Sequence, residues 1–153
     1  MSADLFLKEA LAECELHIKR IRFAMSKLND HIPFTVVTWT TLNDETVEAM
    51  DQLIFRFIKL QDAMGMRVFP RLLDYLNEPM ENTSMLDKLN RLEKLGYLSR
   101  KEVWQELRNL RNNLTHEYPD QVEDNCRLFN YFYSQVDVLM DLFFHVQGKI
   151  SLI

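Results

Sequence analysis

Glycine and proline are scarce: three and four in 153 residues, about 2% and 3% against usual levels of about 7% and 5%. So few chain breakers leave no room for the many tight turns of an all-β sandwich or barrel. The two cysteines, Cys14 and Cys126, lie 112 positions apart and form no CxxC pair. Both fall on apolar stripes and read as buried, reduced thiols. Positive charge is not in excess either. With 18 Lys+Arg against 23 Asp+Glu the net charge is −5, which argues against a general nucleic-acid coating protein. Long hydrophobic runs are missing. Val136–Val146 is interrupted by Asp137, Asp141 and His145 and is too short to span a membrane. Met1–Leu11 carries Asp4, Lys8 and Glu9, so it lacks the apolar centre of a signal peptide. What is present is 47% hydrophobic and 27% charged residues, the composition of a folded chain rather than a disordered one. A single helical domain over residues 1–153, soluble and cytoplasmic, is the expectation.

Periodicity supplies the helices. Leu7, Leu11, Cys14, Ile18, Ile21, Met25 and Leu28 recur in steps of four and three, one stripe on a helix of about 25 residues. Pro33 and the β-branched run Thr35–Thr38 predict an extended loop, after which Thr40 or Asn43 caps a second helix. Val47, Met50, Ile54, Phe57 and Met64 form its inner stripe, broken at Gln61, with a kink or short break expected at Gly65 and Pro70. A short helix follows from Met85 to Leu95 and stops at Gly96. Ser99 and Glu102 read as a capping box for the next, whose stripe is Val103, Leu107, Leu110 and Leu114. Pro119 opens the last helix, with Val122, Cys126, Phe129, Tyr133, Val136, Met140 and Phe143 on one row. A neighbouring row, Leu128, Phe132, Leu139 and Val146, is also apolar, so this helix is either central to the core or part of a dimer interface. The simplest architecture is all-α, an antiparallel four- or five-helix bundle.

Charge is unevenly spread. Lys88 to Arg111 holds seven basic and three acidic residues, a surplus of four that leaves the rest of the chain at −9. Charge alone favours a solvated helix pair with i,i+4 ion pairs over a phosphate site. The stretch that follows it tips the reading: Arg111-Asn112-Asn113-Leu114-Thr115-His116-Glu117-Tyr118-Pro119. An Arg with a His four to six residues on arises by chance ~0.8 times in such a chain; adding Asn after the Arg and Tyr two after the His lowers this to ~0.002.

This motif resembles that of the HEPN superfamily, in particular its HepT branch, whose fuller form is Arg-x4-His-x-Tyr. Arg111, His116 and Tyr118 match it, with Asn112 as the polar residue after the arginine. Its place at the end of one helix and before the last also matches. Phe57–Asp62 looks like relatives of the branch as well, less distinctively. The resemblance implies a helical bundle, a homodimer, and a metal-independent endoribonuclease without cofactor. The product would be a 2′,3′-cyclic phosphate. It further implies a toxin of a type VII-like toxin–antitoxin pair. Its partner would be a minimal nucleotidyltransferase (MNT) antitoxin that AMPylates Tyr118.

The residue types suit such chemistry. His116 titrates near neutrality and can take or give a proton. Arg111 presents a permanently charged fork to phosphate oxygens. Asn112 and Arg108 are candidate supports for the phosphate and RNA, and an AMP on Tyr118 would set a negative phosphodiester beside Arg111 and His116. On an unbroken helix, Arg111 and His116 would point about 140° apart. Either the helix ends near Leu114, or the site is shared across a two-fold axis. The rival reading is a non-catalytic HEPN subunit that binds substrate or nucleotide for a nucleotidyltransferase.

Other candidates read as ordinary. His17 and His31 look like surface or boundary histidines, His145 like a last-turn residue, and no His, Cys or carboxylate spacing indicates a metal. Trp104 is expected to be half-buried, and Asp44, Glu45, Glu48 and Asp51 to form an acidic first turn.

Overall fold

The computed structural model describes residues 2–78, 80–115 and 121–151, and these are helical throughout their regular segments. The elements are α1 (Ala3–Leu28), α2 (Val36–Thr40), α3 (Asp44–Ala63), α4 (Phe69–Tyr75), α5 (Met85–Lys94), α6 (Lys101–Asn113) and α7 (Val122–Ile150). A five-residue π-turn, Met64–Val68, joins α3 to α4. Four long rods, α1, α3–α4, α6 and α7, make the expected antiparallel bundle.

Side-chain pairs fix the directions of the rods. Arg67 donates to Glu13, Arg56 to His17, and Arg71 to the Phe6 carbonyl, so α1 and α3–α4 run oppositely. Gln147 meets Glu15 and Tyr133 meets Asn29, which sets α7 antiparallel to α1 as well. Arg108 and Arg111 on α6 reach Asp62 of α3. Phe57 of α3 packs edge-on against Phe132 of α7 at 5.0 Å between ring centroids. The core between the rods holds Phe57, Phe69, Phe132 and Phe143, none of them exposed.

The stripes of α1 and α7 bury as their spacing implies: Leu7, Cys14, Ile18, Ile21 and Leu28 on one, and Cys126, Phe129, Val136, Met140 and Phe143 on the other. Both cysteines are free and buried. The second row of α7 settles one open question. Phe132, Leu139 and Val146 are fully covered within this same chain, so α7 is central to the core and its extra apolar row needs no second copy.

Local capping explains where the chain departs from its periodicity. The Thr35–Thr38 stretch is no extended loop: it opens α2, with the Thr35 hydroxyl accepting the Thr38 N–H and Thr38 returning the favour to the Thr35 N–H. Two reciprocal side-chain bonds outweigh a β-branched preference. Asn43, not Thr40, caps α3. At the predicted kink the helix widens instead of breaking. The π-turn carries the chain past Pro70, which has no N–H to give to the helical ladder. Gly65 within it lets Trp104 approach: a Cβ there would lie 3.0 Å from the indole ring. Trp104 is accordingly buried rather than half-exposed.

Gly96, at φ +85, ends α5 as expected, with Tyr97 N–H bonded back to the Leu92 carbonyl at 2.9 Å. The capping box at Ser99 and Glu102 does not form. Arg100 occupies the cap position without a side-chain bond, and Glu93 of α5 instead accepts the Lys101 N–H at 2.8 Å. The short turn between α5 and α6 brings that carboxylate closer than the local serine. Among the described residues no helix is long and apolar enough to cross a membrane.

Candidate functional site

α6 buries Trp104, Leu107 and Leu110, and the adjoining row, Arg108 and Arg111 at i and i+3, faces α3. There both arginines meet one carboxylate. Arg108 Nη1 donates to Asp62 Oδ1 at 2.8 Å, and Arg111 Nη2 donates to Asp62 Oδ2 at 3.2 Å. The side chains are about a quarter exposed for Arg111 and Asp62 and nearly half for Arg108. Such charge-assisted bonds are directional but, at this exposure, worth only about 0–1 kcal/mol each. Arg111 Nε is buried and has no hydrogen-bond partner among the described residues. Its charged tip therefore lies at the seam while its stem is packed inside.

Asp62 stands just before the π-turn, and the fully buried Gln61 precedes it. Single-turn π segments are frequent where a helix presents functional groups, because the extra residue re-aims the side chains around it. Two guanidiniums converging on one carboxylate form an arrangement that suits a tetrahedral oxyanion equally well.

α6 ends at Asn113 with Leu114 as its cap, one of the two arrangements that free Arg111 and His116 from opposite faces of one helix. Asn112 is exposed, and its carbonyl accepts the Thr115 hydroxyl at 2.7 Å. His116 and Tyr118 lie outside the described residues; the last helix opens at Val122 with Gln121 as its N-cap, and not at Pro119. The structure thus brings Arg108 and Arg111 together and adds Asp62, which the motif alone did not single out. Two cations one turn apart beside a buried stripe call for a counter-charge, but their spacing does not say which carboxylate supplies it.

The basic run that precedes the motif is largely committed elsewhere. Arg91 makes a two-pronged bond to Glu78, with both N–O distances 2.9 Å, and this holds the Glu78 carboxyl below its ordinary pKa. Lys101 donates to Asn90, and Lys88 to the Thr83 carbonyl. The surplus of four charges is therefore spread over loop anchors and not gathered into one patch.

Where α6 ends, at Leu114, a cavity of about 320 Å³ opens between α2, α3 and α7, lined by Trp39, Met50, Asp51, Ile54, Leu114 and Phe129 among others and by neither arginine. A larger cavity of about 790 Å³ lies between α1 and α3, with both charge signs on its wall (Arg20, Lys27, Glu45, Glu48) and no motif residue.

The histidines sort differently from expectation in one case. His17 is buried, not a surface residue. Its Nδ1 accepts from Arg56 at 3.1 Å and its Nε2 faces Glu13 at 3.4 Å. Burial pushes its pKa down, Glu13 opposes this, and Arg56 and Lys59 add to it. His31 is exposed, and His145 bonds the Gly96 carbonyl at 3.0 Å. No group of three His, Cys, Asp or Glu among the described residues is placed to hold a metal ion. Comparison with protein-family models, curated proteins and solved structures gives no match for this chain.

Proposed function

We propose that this chain is a HEPN-type, metal-independent endoribonuclease acting as the toxin of a toxin–antitoxin pair. The observation that carries the reading is the convergence of Arg108 and Arg111, the latter five residues before His116, on the single carboxylate of Asp62. A phosphate of the RNA takes the place of that carboxylate between the two guanidiniums. His116 serves the proton transfers: the 2′-oxygen attacks phosphorus as its proton leaves, the bond to the 5′-oxygen breaks, and that oxygen is protonated. Arg111 stabilises the charge on the phosphorane, and the products are a 2′,3′-cyclic phosphate and a 5′-hydroxyl. Asn112 and Arg108 support the phosphate.

Regulation follows from the same charges. An AMP placed on Tyr118 by an MNT-type nucleotidyltransferase partner adds a phosphodiester beside Arg111 and repels the RNA. A homodimer also belongs to this reading. Its support is the outer face of α3 and the π-turn, where Phe55 and Met66 are 49% and 73% exposed on either side of Asp62.

The test is RNA cleavage by unmodified protein in EDTA, with Arg111→Ala and His116→Ala in parallel and mass spectrometry to exclude an adduct on Tyr118. Cleavage that vanishes in both variants is expected. A folded, unmodified protein that leaves a broad RNA pool intact sinks the ribonuclease. A second reading has one observation in its favour: the largely apolar cavity at the end of α6 has room for the base of a nucleotide bound without turnover, as in a substrate- or nucleotide-binding subunit of a nucleotidyltransferase. Nucleotide binding without any cleavage would select it.

A further inference from the structure

The recess between α2, α3 and α7, about 320 Å³ in volume, is walled mainly by apolar side chains, Trp39, Val47, Ile54, Leu114 and Leu128 among them. Apolar surface continues outside it. Val36, one turn before Trp39 on α2, is 48% exposed, its neighbour Val37 is 71% exposed, and Val47 on the wall is 38% exposed. Apolar surface gathered around a recess marks an interaction site more often than a free one. The volume is at the small end of ligand pockets, so it takes side chains from a docked helix and not the helix itself.

The rim carries one sign of charge. Asp51 lines the recess, Asp44 lies two turns before it on the same row of α3, and Glu48 stands between them. All three are exposed, and none is in an ion pair among the described residues. Across the recess, the first turn of α7 carries Glu123 and Asp124, which share one guanidinium, Arg127. Five carboxylates thus stand around the recess against a single cation. Such a rim repels a phosphate chain and attracts lysine and arginine. A second copy of this chain is poorly suited to supply them. Its basic run is engaged: Arg91 with Glu78, Arg108 and Arg111 with Asp62, Lys101 with Asn90, and Lys88 with the Thr83 carbonyl. The occupant is therefore a different chain, with free cations beside a row of apolar side chains.

We propose that this recess is the docking site for a basic amphipathic helix of a partner protein, whose apolar side chains fill it while its cations meet Asp44, Asp51 and Asp124. Connectivity gives the position a use. Leu114 on the wall is two residues from His116 and four from Tyr118, and four residues of chain reach at most about 14 Å. A helix seated there keeps its parent protein within reach of the motif tyrosine. That last step rests on the proposed function; the docking itself does not.

Trp39 reports occupancy, because it lines the recess while Trp104 is only 3% exposed and contributes a constant background. The full-length protein is titrated with a synthetic amphipathic helix of leucine and lysine while tryptophan emission is followed. The controls are a helix with glutamate in place of lysine and a scrambled peptide of the first composition. A saturable response to the lysine helix is expected, with binding of either control on the order of tenfold weaker. Val47→Phe, which fills the recess, and Asp51→Lys, which reverses its rim, should each weaken the lysine helix by about tenfold. Glu9→Lys makes the same change of net charge at an exposed position on α1 and should leave binding unaltered. Circular dichroism checks that the variants fold. Equal binding of all three peptides, indifference to Val47→Phe, an equal loss in Glu9→Lys, or no saturable response overturns the proposal. So does GMP or an RNA that gives the response in place of the helix. Sedimentation that finds a wild-type dimer dissociated by Val47→Phe overturns it too, since the recess then belongs to a second copy. RNA cleavage on the same preparations separates the two ideas. Cleavage without helix binding removes the docking site alone, and helix binding without cleavage removes the ribonuclease alone.

Discussion

Replacing Gln61 by methionine should make this protein more stable. Gln61 is fully buried on the inner stripe of α3, between Phe57 and Met64, and neither Oε1 nor Nε2 has a hydrogen-bond partner among the described residues. An amide taken from water without compensation costs about 1–3 kcal/mol by protein mutational scales. Methionine has the same unbranched length and fills the same space, so neither a cavity nor a clash is introduced. The expected gain is the amide's desolvation cost, about 1–3 kcal/mol, and at this chain length each kcal/mol raises the melting temperature by about 2–4 °C. Urea denaturation of wild type and Gln61→Met gives the number directly, as a higher midpoint at an unchanged slope. Gln61→Glu is the opposing control and should lose stability by burying a carboxyl group. An unchanged or lower midpoint for Gln61→Met refutes the reasoning, because it means that the amide is hydrogen-bonded in solution, for instance to an internal water. The polar side chain also bears on the site. Gln61 adjoins Asp62, so phosphate or RNA binding should be measured on the same variant; a stabilised protein with weakened binding would assign the cost to the site.

Further outcomes follow from single contacts. His17 has a folded-state pKa below its ordinary value of about 6.5, so the unfolded chain takes up the proton first. Stability should be flat above about pH 6.5 and fall as pH drops from there toward the folded value; the urea midpoint of His17→Gln should show a smaller drop, and equal slopes would refute the assignment. Gly65→Ala sets a Cβ 3.0 Å from the Trp104 ring; overpacking of about 1–3 kcal/mol should exceed the helix gain of about 0.5–1 kcal/mol, and a stabilised variant would show that the indole shifts freely. Burial pushes the Cys14 thiol up to about 12, so a thiol reagent at pH 8 should label the native protein only as fast as it opens, and immediate labelling of Cys14 contradicts its burial. Asp62→Ala removes two partly exposed ion pairs and should cost no more than about 2 kcal/mol; a loss above about 3 kcal/mol would make Asp62 a structural element of the seam.

Helix existence was legible wherever a four-and-three stripe ran unbroken, as in α1 and α7, because burial on one face is what selects these residues. The errors are local and share a cause. Thr35–Thr38 has strand-forming side chains, but its hydroxyls close a capping box, and Ser99 lost its role to a carboxylate from the preceding helix. Capping is decided by which group arrives first at a bare N–H, and a group from elsewhere in the chain leaves no trace in local spacing. Within the site, Arg111 was singled out by the resemblance to Arg-x4-His-x-Tyr, with Arg108 as a support, and Asp62 was not singled out. Its sequence distance from Arg111 is 49 residues, and only the antiparallel register of α3 and α6 puts it there. His17 shows the same limit. Its position off the α1 stripe looked solvated until α3 supplied Arg56 across from it.

The way charge is spent in this chain bears on the proposed function. An acidic protein of net charge −5 has little long-range attraction for RNA, and several of its arginines are tied to carboxylates: Arg67 to Glu13, Arg91 to Glu78, Arg108 and Arg111 to Asp62. On the proposed reading, a phosphate entering the seam exchanges one anion for another at the arginine pair, so the electrostatic gain over the resting state is small. Few phosphates are then engaged, and affinity should fall only shallowly with salt, in contrast to a protein that tracks the RNA backbone. Discrimination has to come from contacts that Asp62 cannot imitate. A base, with its flat apolar surface, is one such contact. On the proposed reading, the resting carboxylate makes the seam poorly responsive to free phosphate, because any anion that enters has first to displace Asp62 from both arginines.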